Sequence, residues 1–200
     1  MTGIASLVGA VLIPVAAAAC VTAADLAGGI RIDKDTGVVE TYRTLRPGVV
    51  GLLVEFDAHS GSKVELAYGV YSLGFTDIVE GKLDPATRTR FEYDLAPADM
   101  PLPVAGGRWQ AESFVIDGGS RRTETVTASW RGQEQMTVDG CDYEAITGTI
   151  RYAGADYTAE EGLIYLPELG ISTLSYYSDD KSNDAPLRER ITRITAEGAE

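Results

Sequence analysis

From residue 30 onward, apolar and polar positions alternate with a period of two, in short runs separated by turn residues. Ile30-Arg31-Ile32, the polar stretch 33–37 and the β-branched run 38–43 read as a β-hairpin. Residues 49–56 form the next strand after Pro47-Gly48, and 64–73 return as its partner beyond the loop at His59-Ser60-Gly61-Ser62. Asp84-Pro85 marks a turn before a strand at 90–93. In the second half, 109–116 and 124–130 flank Asp117-Gly118-Gly119, and 136–138 and 143–152 flank Asp139-Gly140. Strands at 162–165 and 171–177 surround Pro167-Glu168-Leu169-Gly170, and the last lies near 190–195. No segment past Leu26 sustains a helical stripe over ten or more residues, so the expected fold is all-β: an antiparallel meander forming a sandwich, barrel or curled sheet.

Three prolines and two glycines fall within residues 96–107, which prevents regular strand pairing there. We read this stretch as a crossover inside one domain spanning 20–200, because either half alone is near the size at which a core becomes marginal.

The first residues differ in kind. Residues 2–24 carry no charged side chain, and an apolar run broken by Pro14 leads into four consecutive alanines at 16–19. This is the h-region and small-residue cleavage zone of a secretory signal over 1–19, although the usual basic n-region is missing. A membrane anchor is disfavoured by the Ala and Gly content, by Pro14 and by the lack of flanking basic residues. The expected location is periplasmic or secreted.

Cleavage after Ala19 leaves Cys20 at the new N-terminus, where several fates compete. Ala17-Ala18-Ala19-Cys20 loosely matches a lipobox with Ala in place of the usual Leu, which would anchor the protein by a lipid on Cys20. Thr22 and Asp25, however, are placed as N-cap and N3 of a helical turn that stops at Gly28 or Gly29. Structure beginning so close to Cys20 suits a docked residue, and Cys141 is the only other cysteine. In an oxidising compartment a Cys20–Cys141 disulfide is then the expected state, with two free thiols as the third alternative.

The 200 residues contain 17 Lys+Arg against 30 Asp+Glu, a net charge of −13, and 44% hydrophobic residues. This composition excludes a disordered acidic tail, and the absence of a basic stripe argues against nucleic acid as a partner. His59 is the only histidine, so a Ser-His-Asp triad, a Cys141–His59 pair or a histidine-based zinc site would all have to use it. It sits in a turn, where an exposed loop residue is the expected role. Asp33-Lys34-Asp35-Thr36-Gly37 lacks the acid that closes a calcium loop, since the twelfth position is Thr44, and it reads as a hairpin turn. Residues 178–184 could hold a cation but read as a solvated loop. No spacing selects a catalytic pair among the acids, and no cofactor or metal site is expected.

Ten aromatics fall on strands. Of these Tyr68, Trp109, Phe114, Trp130 and Tyr165 are the candidates for lining an apolar ligand site on a concave sheet, against the plainer reading as core. Tyr176 and Tyr177 are adjacent and must face opposite ways, so one of them lies outside the core.

Gly107-Arg108-Trp109, Gly140-Cys141-Asp142-Tyr143 and Tyr165-Leu166-Pro167-Glu168-Leu169-Gly170 occur together within about residues 107–177. In these short motifs the chain resembles exported alphaproteobacterial proteins of unknown function. More distantly it is similar to curled-sheet periplasmic proteins of the kind that include lipoprotein carriers. The resemblance implies an envelope location and a concave sheet sheltering apolar groups, and it brings no catalytic residue. The functional expectation is a non-enzymatic soluble periplasmic β-protein, envelope-associated or binding an apolar ligand, whose partner is that ligand or an envelope protein. The alternative is a hydrolase with an acidic site not visible in the sequence.

Overall fold

The computed structural model describes residues 20–182 and 185–198; the signal sequence expected at 1–19 lies outside them. Among these described residues thirteen strands form one antiparallel sheet: β1 (Ile30–Lys34), β2 (Val39–Arg46), β3 (Val49–Glu55), β4 (Gly61–Ala67), β5 (Tyr71–Val79), β6 (Lys82–Leu83), β7 (Thr89–Tyr93), β8 (Arg108–Asp117), β9 (Ser120–Val138), β10 (Cys141–Ala153), β11 (Thr158–Leu166), β12 (Ile171–Asp179) and β13 (Ile191–Ala196). The order is β12-β11-β10-β9-β8-β7-β5-β4-β3-β2-β1-β13, with the short β6 paired on β5. The sheet curls without closing into a barrel, as the all-β reading expected.

The chain is a meander until its last strand, which returns to pair with the first: Ile30 faces Ala196 and Ile32 faces Ile194. Ahead of β13, the Glu189 backbone N–H donates to Ser175 O at 2.8 Å and that of Asp35 to Arg190 O at 3.0 Å. This segment bridges from β12 to the β1–β2 turn.

Two elements depart from the expected strands. The run 64–73 is not one strand: it reverses at Tyr68-Gly69, both with positive φ (48° and 66°), and becomes the β4–β5 hairpin. The segments 124–130 and 136–138 are instead parts of one 19-residue strand, β9, whose pairing with β10 absorbs a bulge between Ile146 and Gly148. Residues 96–107 connect β7 to β8, which pair directly with each other, and this loop buries Met100.

The core has two clusters. One gathers Ile30, Ile32, Tyr42, Leu66, Tyr143, Leu166, Leu169 and Ile171, and the other Tyr71, Met100, Val126, Ala128, Trp130, Ile150 and Tyr165. The expected helical turn is present as a single 3-10 segment, Ala23–Ala27. The backbone N–H of Thr22 donates to the Asp25 carboxylate at 2.8 Å, which holds the start of the turn. Its Leu26 is buried in the first cluster, a contact worth roughly 1.5–3 kcal/mol. Cys20 is bonded to Cys141 with a Cα–Cα distance of 5.6 Å, within the normal range for a bridge. A sulfur held this way has no free valence for a lipid thioether.

Candidate functional site

Curling brings the inner face of β2–β5 opposite β11 and β12, and a cavity of about 350 Å³ opens between them. Inward positions follow from strand pairing: Tyr42 faces Leu52, Leu52 faces Val64, and Val64 faces Phe75, so alternate residues of four strands make one apolar wall. Val54, Phe56, Leu66 and Val70 extend that wall, while Leu163 and Leu174 face it from the other side. Phe56 and Tyr177 also line the groove, and both are exposed.

The same groove carries four acids, Glu40, Asp77, Glu161 and Glu189, and no basic residue among those lining it. Glu40 belongs to a buried network. Lys34 and Glu40 are only 5% and 2% exposed, and Lys34 Nζ lies 3.3 Å from Glu40 Oε1 and 3.5 Å from Glu189 Oε2. Nζ also donates to Leu174 O at 2.5 Å, so its three protons are all engaged. On the other carboxylate oxygen, Glu40 Oε2 accepts from the hydroxyls of Tyr42 (2.7 Å) and Thr173 (2.5 Å). One lysine thus balances one of two carboxylates, and the network holds β1, β2 and β12 together across the groove floor.

A second buried network lies behind Glu161. Tyr152 OH donates to Glu161 Oε2 at 2.9 Å, and burial pushes the Glu161 carboxyl above its usual range. On β9, Glu124 is 2% exposed and accepts from Tyr157 OH. Among the described residues its other oxygen, Oε1, is buried without a hydrogen-bond partner, as are Ser113 Oγ and Tyr93 OH. Desolvation is the main cause that raises the Glu124 carboxyl to about 7.

The five aromatic candidates lie elsewhere. Trp130 and Tyr165 are buried in the second core cluster, with rings 6.3 Å apart. Trp109 packs on Tyr71 and Tyr93 at 4.6 and 6.0 Å. Phe114 stacks under the Arg121 guanidinium at 4.0 Å, and Tyr68 donates its hydroxyl to Ala98 O at 2.7 Å. None of the five is among the residues lining the groove. Of the adjacent tyrosines, Tyr177 is exposed while Tyr176 bonds Glu160 and lies under Arg188, so the two do point apart.

His59 is exposed in a turn where Asp57 Oδ1 accepts from the backbone N–H groups of His59 (2.7 Å) and Ser60 (2.8 Å). That carboxylate serves the loop rather than the imidazole. In the 33–37 turn, Asp33 pairs with Arg31 at 2.8 Å and Asp35 with Arg190 at 2.9 Å. Among the described residues no three His, Cys, Asp or Glu side chains gather in a metal-binding group.

The groove acids were not singled out from the sequence, yet a signal was there. Glu40 is in phase with Val38 and Tyr42, Glu161 with Ala159 and Leu163, and Glu124 with Val126 and Ala128. An acid on the inward phase of a strand must find a partner or keep its proton.

No protein family matches the chain, and no curated protein matches it. Among solved structures, the chain is similar to the hypothetical lipoprotein YmcC from Escherichia coli (K12), at 10% identity and a TM-score of 0.42 over 74% of each chain. A likeness this distant bears on neither site nor activity.

Proposed function

We propose that the protein is a binding module of the bacterial envelope that shelters the apolar part of a small ligand in the groove between β2–β5 and β11–β12. The observation that carries this reading is the cavity of about 350 Å³ walled by Leu52, Val54, Val64, Leu66, Phe75 and Leu174. Small-molecule sites are concave and mostly apolar, with a few placed polar groups, and their volumes begin near 300 Å³. The Cys20–Cys141 bridge supports an oxidising, extracytoplasmic setting. We place the mature protein in the periplasm, after removal of a signal at 1–19.

The test is a fluorescence titration with 1-N-phenylnaphthylamine, an apolar dye that brightens on leaving water. The dye is expected to bind saturably at one site. Val64→Trp, which fills the groove from β4, should weaken it at least tenfold while the circular dichroism and unfolding midpoint stay near the parent's. Equal dye binding by parent and variant would overturn the reading.

A hydrolase is the second reading, and the buried Glu161 carboxyl, raised by desolvation and bonded by Tyr152, is the observation that favours it, since an acid catalyst's carboxyl is shifted upward in this direction. Turnover of a chromogenic ester or glycoside, abolished in Glu161→Gln, would put this reading first.

A further inference from the structure

The groove is apolar along one wall but does not suit an uncharged occupant equally well throughout. Among its lining residues are Glu40, Asp77, Glu161 and Glu189, and no lysine, arginine or histidine. Lys34, the base behind the floor, has all three protons engaged by Glu40, Glu189 and Leu174 O. Glu40 is saturated in turn by Lys34, Tyr42 and Thr173. Its network therefore takes no ligand.

Asp77 on β5 and Glu161 on β11 differ. Each has one oxygen occupied, Asp77 Oδ1 by Ser62 Oγ at 2.8 Å and Glu161 Oε2 by Tyr152 OH at 2.9 Å. Among the described residues no protein donor reaches Asp77 Oδ2 or Glu161 Oε1. A carboxylate bordered by apolar side chains and lacking a counter-ion is costly, and a cation entering beside it removes that cost. An anionic head in the same place would meet Asp77 and Glu161 with no free base among the lining residues to receive it. Charge complementarity therefore selects the occupant.

We propose that the ligand is a small cationic amphiphile, its apolar chain lying along β3–β5 and its ammonium group seated against Glu161 and Asp77. This rests on the binding reading above and adds the class of ligand. An ammonium group brings three donors, and Asp77 Oδ2 and Glu161 Oε1 are carboxylate oxygens of the groove lining left open to receive them. Orientation follows: the chain points toward Leu66 and Val70, and the head stays on the acidic side.

Three probes of equal chain length separate head from tail: decylamine, decanol and decanoate, each titrated at neutral pH by displacement of the bound dye. Decylamine is expected to bind at least about tenfold more tightly than decanol, the smaller end of what a charge-assisted hydrogen bond contributes, with decanoate weakest. Glu161→Gln and Asp77→Asn, singly and together, should bring the amine toward parity with the alcohol while decanol affinity changes less than about twofold. Asp77→Asn retains an acceptor for Ser62 and keeps the test open if the more buried Glu161→Gln fails to fold. Because the surface is acidic overall, Val64→Trp is the control: amine binding that survives it is adventitious and counts against the site. Decanol or decanoate binding as tightly as decylamine would overturn the cationic head and leave the binding reading intact. Failure of the dye and all three chains would overturn the binding reading itself.

Discussion

Glu124 gives the most direct access to the buried polar layer. Its carboxyl lies 2% exposed on β9, with one oxygen bonded by Tyr157 and the other, together with Ser113 Oγ and Tyr93 OH, without a hydrogen-bond partner among the described residues. Burial raises it from 4.5 to about 7, against the opposing pull of the Arg122 charge. Between those values the folded protein holds a proton that the unfolded chain has lost, so unfolding releases a proton and stability falls as pH rises through the window. At about 1.4 kcal/mol for each pH unit, the loss reaches about 3 kcal/mol and levels off above pH 7. Glu124→Gln removes the titration while its amide oxygen still accepts from Tyr157 and its NH2 can donate to Ser113. Urea unfolding of parent and variant at pH 5 and pH 8 isolates the effect, because other titrating groups are common to both. The variant should gain on the parent by about 2.5 kcal/mol between the two pH values, since pH 5 already lies inside the window. Parallel pH profiles, or a parent that becomes more stable relative to the variant at pH 8, would refute the reasoning.

Two further outcomes follow from the covalent and ionic ties. Removing the Cys20–Cys141 bridge, which spans 121 residues, should cost about 3–5 kcal/mol in Cys141→Ser, and both native cysteines should resist alkylation until reduced; labelling before reduction would contradict it. Lys34→Met strands Glu40 and Glu189 without their cation and should cost about 3–5 kcal/mol by urea unfolding, whereas adding Glu40→Gln should recover part of it; a cost below about 1 kcal/mol would show that the network is not ionic.

Much of the sheet was legible because turn chemistry and alternation agree. Asp117-Gly118-Gly119 and Asp139-Gly140 are the β8–β9 and β9–β10 turns, with positive φ at both glycines of the first and at both residues of the second. The Thr22–Asp25 cap and the pairing of the two cysteines were readable for similar local reasons. Tyr68-Gly69-Val70 hid its reversal because an aromatic and a β-branched residue around one glycine look like strand. Tyr68 tolerates its left-handed backbone by anchoring its hydroxyl on Ala98. Residues 131–135 look like a turn by polarity, but they are the exposed middle of β9: Arg131 and Gly132 fall in its bulge, and 133–135 pair with β10. The groove was out of reach for a different reason. Lys34 was read as part of a polar turn, yet its partners Leu174 and Glu189 lie 140 and 155 residues away. Such a pairing is decided by how the sheet curls, and no local pattern encodes it.

The return of β13 to β1 has a consequence for how the molecule comes into being. Strand β1 precedes β2–β12 in the chain, yet its outer partner is residues 191–196, which follow all of them. Glu189, which completes the groove floor with Lys34, arrives only just before it. The groove therefore cannot assemble progressively along the chain, and its first half waits with an unpaired edge until residues 189–196 are in place. Long-range pairing of this kind folds slowly, on the millisecond-to-second scale typical of non-local β topologies.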